Sequence, residues 1–286
     1  MKSLKYAVWI ISIILFIIFL FYPLARTIYL SFFLTNNMGE PTVFVGLDNF
    51  KEVYTSPILR KSLVSTFLFV LYVVPGTIII SLFLAIIANE KLRAIGFFRT
   101  IFSSTMGISV AAVSVFWLFL FNPTMGWLNQ ILEFFGAEGI GWLTNPKWAL
   151  LSVSVSTIWM HIGFTFLIFL GGLQSIDRYL YESAAIDGAG YFYNLRRITL
   201  PMLSPTLFFV LTVTVINSFQ IFGQIDMLTK GGPQNETNLI VYSIYEEAFR
   251  NYQFGTASAQ SLILFVIILI LTILQFKLGE KRVHYQ

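Results

Sequence analysis

The 286-residue chain contains no cysteine and only two histidines, His161 and His284. Disulfides, thiol catalysis and thiolate metal ligation are excluded at once. The histidines stand far apart and form no H-x-x-x-H pair, so no metal site is expected. Charge is scarce too. Asp, Glu, Lys and Arg make up 11% of residues, against roughly 25% in a soluble domain, too few to cover a globular surface in water. A phosphate-binding loop is also missing. The 136–141 stretch is glycine-rich, but no G-x-x-x-x-G-K-[ST] occurs, so the chain does not bind ATP in that way. The apolar runs hold no carboxylate pair, Ser–His pair or zinc-ligand set, which argues against an intramembrane protease. Lone His161 reads as a side chain satisfied by an interhelical hydrogen bond. Ionisable residues are absent from the depths of these runs; Arg26 and Asp226 lie near their ends. Proton- and sodium-coupled carriers commonly use such groups, so their absence disfavours a secondary carrier, although sodium can also be held by carbonyls and hydroxyls.

What the chain does have is long charge-free runs. The 18 basic and 14 acidic residues leave such gaps at 6–25, 62–89, 100–132, 148–176, 198–225 and 251–276. Each is long enough for the roughly 20 residues a helix needs to cross a bilayer. The sequence therefore reads as an all-α integral membrane protein with six transmembrane helices, at about 6–24, 63–88, 101–121, 149–173, 203–224 and 256–276. Its core spans 63–276 of a single membrane domain, 1–286. The N-terminal run is too long for a signal peptide, continues through Pro23 into Arg26 and lacks a small-x-small cleavage site; it reads as a retained first helix. Six spans place both termini on one side. Lys and Arg mark the cytoplasmic side, and with the termini inside, the inner segments collect most of them: Lys2, Lys5, Lys91, Arg93, Arg99, Arg178, Arg196, Arg197, Lys277, Lys281 and Arg282. The net charge of +4 is thus a topology signal rather than a sign of nucleic-acid binding.

Several features punctuate the spans. An amphipathic extension of the first helix reaches toward Leu34. Gly46 and Asp48 mark a turn, followed by a short surface helix. Pro75-Gly76 sits near the centre of span 2, where proline removes one backbone bond and kinks a helix. Span 3 carries Ser103, Ser104, Gly107, Ser109, Ala111, Ala112 and Ser114, a composition suited to close helix packing. Trp127, Trp142 and Trp148 in the following outer loop suit the membrane interface. A short amphipathic piece precedes span 6 at 241–249.

Two stretches carry functional signals. Asn217, Gln220 and Gln224, at i, i+3 and i+7, would share one face of helix 5, with Thr214 a turn earlier. Amides in hydrocarbon are costly unless they face other helices or a watery path. The stripe therefore serves either interhelical bonding or a polar solute, and Phe219 and Phe222 beside it would suit stacking on a sugar ring. The other stretch, Tyr181–Pro205, is the longest mostly polar segment between two apolar runs in the second half of the chain. It reads as helix, glycine break, helix, and overlaps a candidate coupling segment that spans 175–201. Ser175 is the expected N-cap, with Asp177 in the first turn. Gly188 and Gly190 stop the first helix, and Pro201 and Pro205 punctuate the far end. The segment falls on the basic, inner side, where it could couple the membrane domain to something outside the membrane.

Within it, Glu182-Ser183-Ala184, three residues, Gly188, nine residues and Ile198-x-Leu200-Pro201 resemble the E-A-A–G–I-x-L-P signature of the membrane subunits of binding-protein-dependent ABC importers. Ser183 for the first alanine is the only departure, one small residue for another. V-G-L-D-N-F at Val45, F-L-F-N-P at Phe119, L-T-x-G-G-P at Leu228 and V-H-Y-Q at Val283 are similar to the carbohydrate branch of that family, the permeases for sugars, oligosaccharides and glycerol 3-phosphate. The resemblance spans roughly 44–286. It implies a permease subunit that forms a pore with a second, usually different, membrane subunit. Two cytoplasmic ATPase subunits would dock below and an extracytoplasmic solute-binding protein above, in a prokaryotic plasma membrane. The chain would be no enzyme and would bind no cofactor itself, ATP and magnesium residing on the ATPase. Glu182, Ser183, Ala184, Asp187, Gly188, Ile198, Leu200 and Pro201 would form the coupling helix and its turn. Asn217, Phe219, Gln220, Phe222 and Gln224 are the candidates for the solute path. A neutral sugar is favoured over glycerol 3-phosphate, because a phosphate wants Arg or a helix N-terminus nearby and the expected path has no cation. A self-contained carrier or channel, or a membrane anchor for a cytoplasmic enzyme, are the other classes.

Overall fold

The computed structural model describes residues 2–90 and 93–279. Lys91 and the basic tail with V-H-Y-Q lie outside these residues. The fold is mostly helical. Helix α1 begins at Lys2–Phe16, widens into a π turn at Ile17–Phe21 and continues as Tyr22–Leu30. Between Trp9 and Leu30 it is strongly apolar, with Arg26 near its far end, and almost wholly exposed within the chain, as a lipid-facing helix must be. Two short strands follow, β1 (Phe33–Thr35) and β2 (Pro41–Phe44), paired antiparallel with Phe33 opposite Phe44. The chain is thus not purely α. The extension read as helix toward Leu34 ends at Leu30, and the turn from Asn36 to Glu40, closed by the Asn36 carboxamide accepting from the Met38 and Glu40 amides, converts it into a hairpin. The expected short surface helix is α2 (Asp48–Thr55). Helix α3 (Pro57–Asn89) is continuous through Pro75, which lies inside it.

The third apolar run is broken where a single span was expected. Helix α4 (Ile95–Gly107, its last turn a tight 3-10 turn from Ser104) meets α5 (Val110–Leu120) at 106°. Ile108 turns extended, and the Ser109 side chain caps α5 by accepting from the Ala112 amide. The small polar residues also make a corner, because Ser and Thr offer the backbone local bonds that compete with the helix. Next come α6 (Trp127–Phe134), in what read as loop, and the long α7 (Pro146–Gln174). Helices α8 (Arg178–Ile186) and α9 (Tyr191–Met202) form the polar segment. Helix α9 meets α10 (Ser204–Phe219) at 64°. Then follow α11 (Gly223–Leu228), α12 (Ile240–Tyr245, prolonged by a π turn Glu246–Arg250) and α13 (Phe254–Gly279). By length and composition, α1, α3, α7 and α13 can each cross a membrane. The count rises to six if each bent pair is one span.

Contacts divide the chain into two compact units. One holds 1–61 and 240–267, the other 62–239 and 268–286. In the first, Val53, Leu59 and Ala259 form a small core with Phe50 and Ile263, and Asn49 donates to the carbonyls of Ser31 and Phe33, tying α2 to the hairpin. In the second, Ala85, Ala88, Phe166, Phe169, Leu173, Leu203 and Val210 pack the C-terminal ends of α3 and α7 against the N-terminal part of α10. The small residues let helices approach closely. Arg99 closes the same corner, its guanidinium donating to the Ala88 carbonyl at 3.0 and 2.7 Å, so the otherwise unpaired C-terminal end of α3 is satisfied.

Candidate functional site: coupling element and solute cavity

The 175–201 segment is built by its caps. The N-cap of α8 is Asp177, whose carboxylate accepts from the Tyr179 amide at 2.9 Å. Ser175, expected in that role, instead closes α7, its amide donating to Gly171 and its hydroxyl to the Gly172 carbonyl. An aspartate with extended backbone two residues from a free amide outcompetes a serine still in helical conformation. At the other end the Gly188 amide donates to the Ala185 carbonyl at 3.1 Å and the Ala189 amide to Ala184 at 2.9 Å. This is the two-bond αL stop that favours glycine, and Gly188 has φ +77°. Gly190 is the N-cap of α9. Glu182 and Asp187 are exposed, and Ser183 and Ala184 half-buried. Tyr181 ties α8 to α9, its hydroxyl 3.0 Å from Thr199 Oγ1. Ile198, Leu200 and Pro201 lie on α9, close to its bend into α10. Ile186 and Phe192 flank the turn, 88% and 81% exposed. So much bare apolar surface around a polar turn marks a contact surface.

A second feature lies among α4, α7 and α10. The α4–α5 corner is held against α7 at Gly163: the Gly163 amide donates to Thr105 Oγ1 at 2.9 Å. A Cβ at 163 would stand 2.8 Å from the Met106 nitrogen and 2.9 Å from the Ser103 carbonyl oxygen, so only glycine admits this approach. Beside it opens a cavity of about 260 Å³ lined by Thr105, Met106 and Ile108 from the corner, Met160, His161 and Thr165 from α7, and Thr214 and Asn217 from α10. Its wall mixes apolar surface with hydroxyl, imidazole and amide groups, and none of its lining residues is Asp, Glu, Lys or Arg. At slightly under the roughly 300–1,000 Å³ of ligand pockets, it could seat one small polar solute or form half of a larger path.

The amide stripe is only partly brought to this cavity. Helix α10 ends at Phe219; Gln220 closes it at φ −103°, ψ 11°, Phe222 is non-helical, and a new helix starts at Gly223. The i, i+3, i+7 face read from the sequence is therefore broken after Gln220. The reason lies in packing: α11 lies on α5, where a Cβ on Gly223 would come within 2.6 Å of the Val110 side chain. Asn217 lines the cavity, whereas Gln220 is exposed and is not among that cavity's lining residues. Phe219 is buried edge-on against Phe67, so its ring packs the fold, and Phe222 is half-buried in the link. Gln224 is fully buried; its Nε2 donates to Met160 Sδ at 3.0 Å while Oε1 has no hydrogen-bond partner among the described residues. Thr105, Met106 and Met160 escaped the sequence reading, since nothing in a run of small and apolar residues announces a corner. A third place assembles motifs distant in sequence. Phe121, Asn122 and Pro123 of F-L-F-N-P and Leu228, Thr229, Gly232 and Pro233 of L-T-K-G-G-P line one cleft of about 560 Å³.

The chain matches the family described as "Binding-protein-dependent transport system inner membrane component" over residues 57–284. It belongs to this family. The permease chain is 39% identical to the sn-glycerol-3-phosphate transport system permease protein UgpA of Agrobacterium fabrum, covering 99% of this chain and 97% of that one. It is 34% identical to the protein of the same name from Pectobacterium atrosepticum, over 99% and 96%. Among solved structures, a bacterial ABC transporter involved in the import of the acidic polysaccharide alginate superposes with a TM-score of 0.83 at 26% identity, over 98% of this permease and 96% of that chain. The permease is a multi-pass component of the inner membrane.

Proposed function

We propose that this permease is the membrane subunit of an ATP-driven importer for a carbohydrate, and that with a second, different membrane subunit it forms the translocation path. The observation that carries the proposal is the α8–Gly188–α9 element, an exposed, sharply capped turn between two apolar elements, bearing the Glu182–Pro201 signature. In this reading six spans, with α4–α5 and α9–α10 each counted as one, leave both termini and the element on the cytoplasmic side. Two ATPase subunits, which hold ATP and magnesium, dock there. Glu182, Ser183 and Ala184 meet the ATPase, and Asp187 and Gly188 set the angle of the helix. Ile198, Leu200 and Pro201 transmit its displacement into α10. An extracytoplasmic solute-binding protein delivers the solute near the cleft formed by the two motifs.

Inside, Asn217, with Thr214, His161 and Thr105 beside it, presents hydrogen-bonding groups to sugar hydroxyls. Gln224 stands one shell behind, against Met160. Gln220 and Phe222 face the path through the link. A neutral sugar fits a wall with no fixed charge. A second reading, glycerol 3-phosphate, is favoured by the names of the curated relatives and requires the other membrane subunit to supply the cation that a phosphate needs.

The test is to purify the tagged permease with its co-purifying subunits and reconstitute it. ATPase activity is then measured as candidate sugars and glycerol 3-phosphate are added with their binding proteins. Stimulation by one solute through its binding protein is expected. A chain that moves solute alone, without ATP, refutes the proposal.

A further inference from the structure

Helix α6, Trp127–Phe134, has an apolar face that nothing in its own unit covers. Trp127, Ile131, Phe134 and Phe135 recur at i, i+4, i+7 and i+8 and share an arc of about 100°. They are 62%, 53%, 84% and 78% exposed. The opposite face is pinned. Asn129, 2% exposed, donates from Nδ2 to the carbonyls of Pro123 and Ile140, and its Oδ1 accepts from the Ile140 amide and Trp142 Nε1, all at 2.8–3.0 Å. All the bonds of one carboxamide thus fix the rotation of the helix, so the aromatic face cannot turn inward. The C-terminal end is stopped as firmly, the Gly136 amide donating to Glu133 and the Ala137 amide to Leu132.

We infer that α6 is an interfacial helix whose aromatic face is buried in the headgroup and upper acyl region of the permease's own membrane. This rests on the reading that α5 and α7 are parts of spans. Position argues for lipid as the occupant. The link from Leu120 to Trp127 is folded on itself, with Asn122 Oδ1 accepting from the Thr124 and Met125 amides and the Asn122 carbonyl from Gly126. Helix α6 therefore starts close to the end of α5 and cannot leave the bilayer surface. Chemistry argues the same way. Trp at the edge with Ile and Phe beyond is the composition of an interfacial helix. From Phe121 to Pro146 the charges are Glu133 and Glu138 alone, so the attachment is hydrophobic and does not rest on anionic lipid.

The chain lacks cysteine, so single nitroxide labels report cleanly. Trp127→Cys, Ile131→Cys, Phe134→Cys and, on the other face, Glu133→Cys are labelled in the full chain with its co-purified subunits, in phosphatidylcholine vesicles. Collision rates with oxygen and with a water-soluble nickel chelate give depth. Phe19→Cys on α1 is the reference for a span. The expected result is oxygen in excess at 127, 131 and 134 and nickel in excess at 133, unchanged by added salt. Nickel excess at 131 and 134 with oxygen excess at 19 overturns this inference alone; nickel excess at 19 as well overturns the membrane reading beneath it. Immobilised labels reached by neither reagent at 131 and 134 also overturn it, because protein then covers the face.

Discussion

Replacing Gly188 by valine isolates the torsional demand of the coupling turn. An added Cβ meets nothing within 4 Å there, so no steric collision confuses the outcome, and what remains is φ +77°. Holding an L-residue in that region costs about 1–2 kcal/mol, and a β-branched residue is the least tolerant of it. Leaving the region instead breaks the bonds from Gly188 and Ala189 to the end of α8, at about 0.5–1.5 kcal/mol each. By either route the turn loses about 1–3 kcal/mol, roughly a 5- to 150-fold loss in the population of the native α8–α9 angle. Spans buried in lipid do not feel this, so the protein still inserts. Expected is normal abundance in the membrane, assembly with the ATPase, and ATP hydrolysis no longer tied to uptake. Gly188→Asn, which tolerates the left-handed region, should retain most transport, and Gly188→Ala should fall between. The assay is solute uptake and ATPase activity of the reconstituted complex, each normalised to permease in the membrane. Wild-type uptake by Gly188→Val, or equal loss in the Asn and Val variants, refutes the reasoning.

Further outcomes follow from the second unit and the π turn. Gly163→Ala drives a methyl into the Ser103–Met106 backbone and should cost about 1–3 kcal/mol, as overpacking does, lowering the melting temperature in detergent and abolishing uptake; an unchanged melting temperature would show that the corner yields freely. Gln224→Met fills the same volume without a stranded oxygen, which costs about 1–3 kcal/mol when buried. It should raise thermal stability while reducing uptake, whereas unchanged uptake would return Gln224 to packing. Asn217→Ala should reduce uptake more than Gln220→Ala, measured at equal expression, since Asn217 lines the cavity. Burial lifts the Glu246 carboxyl above the ordinary carboxylate range, with Arg250 at 2.8 Å pulling the other way. A raised folded value means that this stability is fully present below the ordinary carboxylate pKa and is lost as pH rises through the folded value. Glu246→Gln should flatten that part of the profile, read as melting temperature against pH from 4 to 7.

The sequence by itself determined what depends on composition and on local chain chemistry. The spacing of charges located the apolar runs because a charge in hydrocarbon is costly wherever the chain folds. Gly188 stopped α8 because a left-handed turn is a local demand, and the turn at Gly46 before α2 was legible for the same reason. The signature from Glu182 to Pro201 gave the family for a similar cause: its residues are contiguous. The tertiary structure decided what depends on neighbours distant in the chain. A 106° corner at Ser104–Ser109 exists because Gly163, more than fifty residues away, leaves room for it. The amide stripe broke after Gln220 because α11 has α5 to pack on, and Asp177 displaced Ser175 as a cap because α7 uses the serine for its own end. A helical period predicts a shared face only while the helix continues, and whether it continues is settled by packing that no window of sequence contains.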